Sequence, residues 1–180
     1  MSRSTRAISA AMMLMLVTPG IAGAQVDAKK PPKATLDQPC TFVKKSEIGK
    51  QFGKPVGTPT ADQTFLGCQF PVGSDPATPP GGTFTVVQIF PSFQNSSANG
   101  KDAFEDAHAI DVLANDELSD VTAVGKSAYM NFTKGVLTVL ADKKFLFTLT
   151  WQPAGAKPLT QRDLAKLITL AKKAVARAPQ

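Results

Sequence analysis

The clearest pattern in the chain is the run GVLTVLADKKFLFTLTW, residues 135–151. Val136 to Ala141 and Phe145 to Trp151 read as two strands joined by the Asp142-Lys143-Lys144 turn. In the second strand Phe145, Phe147, Leu149 and Trp151 alternate with Leu146, Thr148 and Thr150, so one face is heavily apolar and is expected to pack against helices. Thr83 to Phe90, TFTVVQIF, carries apolar residues on both faces and predicts a central strand. Phe65 to Phe70 predicts another, with Leu66, Cys68 and Phe70 on one side. Residues 120–132 predict a turn at Gly125 followed by a strand.

Helical spacing appears three times. Lys44 to Phe52 places Ile48 and Phe52 four apart, and Gly53 is a natural stop. Gly49 inside it costs about 1 kcal/mol relative to alanine. Lys101 to Ile110 brings Phe104, Ala107 and His108 to one side. At the end of the chain Thr160 and Asp163 have capping-box spacing, and Leu164, Leu167, Ile168, Ala171 and Val175 form an apolar stripe. Turn-rich stretches separate these elements: Pro55, Gly57 and Pro59, then GSDPATPPGG, then SFQNSSANG. There is no internal repeat. The order helix, strands, helix, strands, helix predicts an α+β domain: an antiparallel sheet of about five strands, with helices packed mainly on one face.

The first 24 residues break the pattern. Arg3 and Arg6 precede the apolar run Ala7 to Val17, Pro19 and Gly20 interrupt it, and Ala22 to Ala24 is a small-residue cleavage site. The apolar run would cover roughly 17 Å as a helix, too short for a bilayer core of about 30 Å. A signal peptide over 1–24 is therefore expected, cleaved after Ala24, with the product exported to the periplasm or the extracellular space. The arginines are not adjacent, which argues against twin-arginine export, and no cysteine stands at the cleavage point to carry a lipid. Residues 25–36, QVDAKKPPKATL, read as a flexible leader, and 37–180 as a single domain with enough chain for a real core.

The sequence has 20 basic and 14 acidic residues, a formal charge of +6. Losing residues 1–24 removes two arginines and no acid, which leaves 18 against 14, or +4. Such a modest charge in an exported chain does not suggest nucleic acid. It leaves room for weak, salt-sensitive contact with anionic material. Arg162, Lys166, Lys173 and Arg177 lie along the terminal helix as a candidate face for such a partner. The plainer reading, which we favour, is a solvated face whose C-terminal bases also suit the helix dipole.

Cys40 and Cys68 are the only cysteines. In an exported chain they are most simply one disulfide, tying the first helix to the first strand. A zinc site would need more ligands than two cysteines and one histidine provide, and a redox site would more usually show C-x-x-C.

Other chemistry is sparse. His108 is the sole histidine, and nothing local supplies a nucleophile elbow. PPGG lacks the lysine and helix of a phosphate loop. Asp102, Glu105, Asp106, Asp111, Asp116, Glu117 and Asp120 cluster without the spacing of a calcium loop and read as a solvated acidic rim. Asn95-Ser96-Ser97 and Asn131-Phe132-Thr133 fit the glycosylation pattern, to which a bacterial-looking signal gives no meaning. No catalytic residue, metal or cofactor is expected.

QPCTFVKKSEIGKQFG, GCQF, VTAVGKSAYM and the terminal DLAKLITLAKKAV together resemble a family of small exported bacterial domains of unknown function, many of them actinobacterial envelope lipoproteins. The shared features are Pro39-Cys40 before a helix ending in Gly53, Cys68 with Phe70, Gly125 with Ala128, and the terminal helix. The resemblance covers most of the mature chain. It implies a disulfide-pinned α+β fold and no established activity, and the chain departs from it in lacking a lipid-anchor cysteine. The expected role is a non-enzymatic binding or interaction module. It would be a monomer with no stable membrane anchor, and its partner a small hydrophobic ligand or an envelope protein. The alternative is a secreted inhibitor of an envelope hydrolase or β-lactamase, presenting the loops Val72 to Gly82 and Pro91 to Asn99.

Overall fold

The computed structural model describes residues 39–62, 67–73, 81–89, 99–143, 145–155 and 157–178. The expected signal peptide, the leader, Leu66 and most of the two candidate inhibitory loops lie outside these residues.

The described chain runs through a 3₁₀ turn (Pro39–Thr41), α1 (Lys45–Phe52), β1 (Thr60–Asp62), β2 (Gly67–Val72), β3 (Gly82–Ile89), α2 (Gly100–Leu113), β4 (Leu118–Asp120), β5 (Ser127–Asn131), β6 (Val136–Leu140), β7 (Leu146–Pro153) and α3 (Gln161–Arg177). The strands form one antiparallel sheet in the order β1-β2-β3-β7-β6-β5-β4. Two meanders of consecutive strands are thus joined by β3 and β7, which pair from Gly82↔Pro153 to Ile89↔Leu146. The sheet is α+β as expected, but has seven strands rather than about five. The two extra strands, β1 and β4, are three residues each and sit at the edges. Such short polar segments carry no alternation to read, and short edges also limit pairing with other chains.

Each helix begins and ends where its sequence provides partners for free backbone groups. Glu47 accepts the Lys44 N–H at 2.9 Å at the start of α1, and Gly53 closes that helix at φ +64°. Asn99 accepts from the Lys101 and Asp102 amides at 2.9 and 3.1 Å. Thr160 and Asp163 cap α3 reciprocally, as their spacing predicts.

The sheet's two faces differ. On the first, Cys68, Phe70, Phe84, Val86, Leu149 and Trp151 are buried beneath α1 and α3. Leu167, Leu170, Ala171 and Ala174 supply the face of α3, with Ile168 and Val175 at its margin. Phe52 of α1 stacks on Trp151 with ring centroids 4.1 Å apart. Gly82, at φ +147°, makes room here, because a Cβ would run into the Trp151 ring and the Gln152 carbonyl.

On the second face α2 lies over β5, β6 and the start of β7. Ala103 and Phe104 pack on Leu140 and Leu146, and Phe104 meets Tyr129 edge-on at 5.4 Å. Two of the three helices therefore share one face and α2 alone covers the other, which fits helices packed mainly on one face. The reason lies in β5–β7, where Tyr129, Leu140 and Leu146 give the second face its own apolar strip.

Cys40 and Cys68 form the disulfide, with Cα atoms 5.1 Å apart, linking the 3₁₀ turn before α1 to β2. Phe42 and Val43 follow it into the core, where Phe42 meets Phe145 edge-on at 5.1 Å. The bridge closes a loop of 28 positions. Replacing both cysteines by serine is expected to lower the unfolding free energy by about 3.5 kcal/mol, read as a shift in the urea midpoint. An unshifted midpoint would remove the bridge from the stability of the fold.

Candidate functional site

The four bases of the expected anionic-partner face are not equivalent. Arg177 is buried and clasps Glu47 through two bonds, at 2.8 and 2.6 Å, while also donating to the Phe42 carbonyl at 2.8 Å. Lys173 reaches the same carboxylate at 3.3 Å. Lys166 bonds Asp163 at 2.9 Å, and its ammonium lies 5.0 Å from the centre of the Phe52 ring. Arg162 is exposed. Three of the four thus hold this chain's own acids, and two of them clamp the end of α3 to the start of α1.

Glu47 feels opposing effects. Burial pushes its carboxyl up, but Arg177, the Lys44 amide and Lys173 outweigh it and bring the pKa down to about 2. Planar fork-to-carboxylate pairing favours arginine at 177 over lysine.

A second polar cluster fixes the C-terminal end of α2. Lys134, in the β5–β6 turn, bonds Asp111 at 2.6 Å and Asp116 at 2.9 Å. Tyr129 donates to Asp111 at 2.9 Å, and the Asn131 amide donates to Asp116 at 2.8 Å. Burial tends to raise the Asp111 carboxyl, but the bonds from Lys134, Asn131 and Tyr129 hold it below its usual range. Lys134 and Asn131 lower Asp116 as well, and the two carboxylates together raise the Lys134 ammonium. Burial, with help from Asp111, pushes the Tyr129 phenol up to about 12, so it remains a donor.

The expected acidic rim is therefore divided. Asp111 and Asp116 are drawn into this cluster, while Asp102, Glu105, Asp106, Glu117 and Asp120 stay exposed or face solvent. Among the described residues, no three His, Cys, Asp or Glu side chains converge as a metal site would require. Asn131, of the apparent glycosylation pattern, is buried with its amide engaged. His108 is half-buried, its ring perpendicular to Tyr129 at 4.8 Å between centroids.

Lys134 also lines an open groove of about 460 Å³ between the β5–β6 turn and the connection from β7 to α3. Phe132, Trp151, Pro153, Pro158 and Leu159 give it an apolar surface, and Thr133, Gln152, Lys134 and Lys157 bring polar groups. Gly135, at φ +71°, shapes it: a Cβ there would come within 3.1 Å of Leu159. The stacking of Trp151 on Phe52 fixes one wall. A second groove of about 450 Å³ lies along Asp120 to Ala128 beside Phe104.

The groove beside Trp151 has no signature in sequence. Its residues come from two segments about twenty positions apart, and only the β6–β7 hairpin with the return into α3 brings them together. NFTKG, a phenylalanine beside a glycine turn, is the one local hint. Among the described residues, no helix is long and apolar enough to cross a membrane.

The Glu47 carboxyl gives a signed pH dependence. Its folded pKa lies below its ordinary value of 4.5, so its stabilisation is fully present above about pH 4.5 and is lost as pH falls towards 2. Glu47→Gln is expected to cost about 3 kcal/mol at pH 7, because Arg177 then remains buried without its counter-ion. Urea midpoints measured from pH 7 to pH 2 should show the acid-side decline flattened in the variant. A parallel decline would exclude Glu47 as its source.

Compared with protein-family models, with curated proteins and with solved structures, the chain matches none.

Proposed function

We propose that the protein is an exported, non-enzymatic binding module of the periplasm or cell envelope, taking a small ligand with an apolar body in the groove beside Trp151. The observation that carries this reading is the groove itself. Its volume suits a small molecule, and its walls are mixed, with the apolar Phe132, Trp151 and Leu159 set among the polar Thr133, Lys134, Gln152 and Lys157. Because Trp151 is held against Phe52 and Gly135 fits against Leu159, little needs to be ordered on binding. The disulfide favours an oxidising compartment, in line with the expected signal peptide. The groups that could do covalent chemistry have structural positions: both cysteines are bonded to each other, and the His108 ring is set against Tyr129.

Native mass spectrometry of the protein collected from its own host tests this. The mature chain is expected to begin at Gln25, to show the mass deficit of one disulfide, and to carry a stoichiometric small passenger. Leu159→Asp, which places a charge in the apolar wall, is expected to reduce retention of the passenger by about tenfold or more. A bare disulfide-bonded monomer would count against the small-ligand reading and direct attention to an envelope protein as partner. A chain that retains residues 1–24 would remove the export.

A further inference from the structure

The groove beside Trp151 has two charged side chains in its lining, Lys134 and Lys157, and among the described residues no acid lines it. The two lysines differ. Lys134 bonds Asp111 at 2.6 Å and Asp116 at 2.9 Å, so its charge is answered from within the chain. Those carboxylates are nearly covered, and they also accept from Tyr129 and Asn131. Lys157, in the connection from β7 to α3, is exposed, and among the described residues nothing pairs with it. Thr133 adds a donor. Its hydroxyl oxygen accepts the Glu117 N–H at 2.9 Å, which leaves the hydroxyl proton to give.

We propose that the ligand of this groove is an amphiphile with a single carboxylate, its apolar tail against Phe132, Trp151 and Leu159 and its anionic head at Lys157. This rests on the small-ligand reading above and adds the sign and number of the ligand's charges. A hydrogen bond from an ammonium to a carboxylate is shorter and stronger than one between neutral groups. One compact ammonium balances one negative charge, and its flexible stem lets it follow the head.

The same charges disfavour other heads. A cationic head would meet Lys157, with Asp111 and Asp116 already taken up by Lys134, Tyr129 and Asn131. A doubly charged phosphate would want a second unpaired cation or an arginine fork, and the described lining has neither. Two carboxylates against one ammonium also leave a residual negative charge behind Lys134, which directs an anionic head to the Lys157 side.

Trp151 is the only tryptophan in the chain, so its fluorescence reports on the groove wall. Three probes of one chain length, octanoate, octylamine and 1-octanol, are titrated separately into the purified protein at neutral pH and low ionic strength. Octanoate is expected to give a saturable change and to bind about fivefold or more tightly than octylamine, a preference that shrinks as salt is added. Lys157→Gln should abolish the preference and Lys157→Glu should reverse it. Neither should move the urea midpoint, because Lys157 pairs with nothing among the described residues. The anionic head is overturned, and the small-ligand groove stands, if octylamine binds as tightly as octanoate or if Lys157→Gln leaves the preference intact. 1-Octanol carries the tail without a charge and tests the groove alone. If none of the three probes changes the Trp151 signal up to its solubility, the groove reading and the anionic head fall together.

Discussion

The pairing of β3 with β7 holds the molecule together. Every other strand contact joins neighbours in sequence: β1 to β2 to β3 on one side, and β4 to β5 to β6 to β7 on the other. Either meander alone would present a bare edge and half a core. Their union over eight residue pairs makes one sheet. It sets Phe84 and Val86 beside Trp151 and Leu149 as one apolar surface on which α1 and α3 can lie. The connection is non-local, so the entropy of closing the chain between the strands precedes the reward of pairing. Central position and burial on one face make that reward large.

Two devices secure the union from the outside, acting on α1 and the turn before it. The disulfide fixes Cys40 to β2, and the Glu47–Arg177 pair fixes the first turn of α1 to the last turn of α3. The ion pair has a cost. Arg177 is buried with its Nε unpartnered among the described residues, and an apolar pair of the same shape could stabilise as well. What charge adds is specificity, because Glu47 is satisfied only when α3 lies in one register over α1. The Asp111–Asp116–Lys134 cluster does the same for the second face, holding the end of α2 to the β5–β6 turn.

With those ends fixed, β7 carries one wall of the candidate groove. Its core-facing Trp151 forms a wall of the groove, while Thr148, Thr150 and Gln152 on the same strand lie on the opposite face of the sheet. Binding surfaces on paired central strands are more rigid than surfaces on loops, which favours a pre-formed site. The end of α2 exposes Ile110, Val112 and Leu113, and nothing among the described residues shows what would cover them.

The sequence by itself determined the local elements. The β6–β7 hairpin, the core direction of Cys68 and Phe70, the stop at Gly53 and the Thr160–Asp163 cap all depend on residues within a few positions of one another, so period and capping chemistry suffice to read them. Two cysteines in a chain expected to be exported likewise sufficed for the disulfide. The tertiary structure decided the rest. The edge strands β1 and β4 have too few residues for a period. The placement of α2 on the opposite face depends on a strip shared by three strands. Arg177 and Lys173 read as solvent-facing because their partner Glu47 is some 130 positions away. The groove exists only after the β6–β7 hairpin and the return into α3 have brought residues 132–135 and 151–159 together, since its neighbours are set by the fold and not by spacing along the chain.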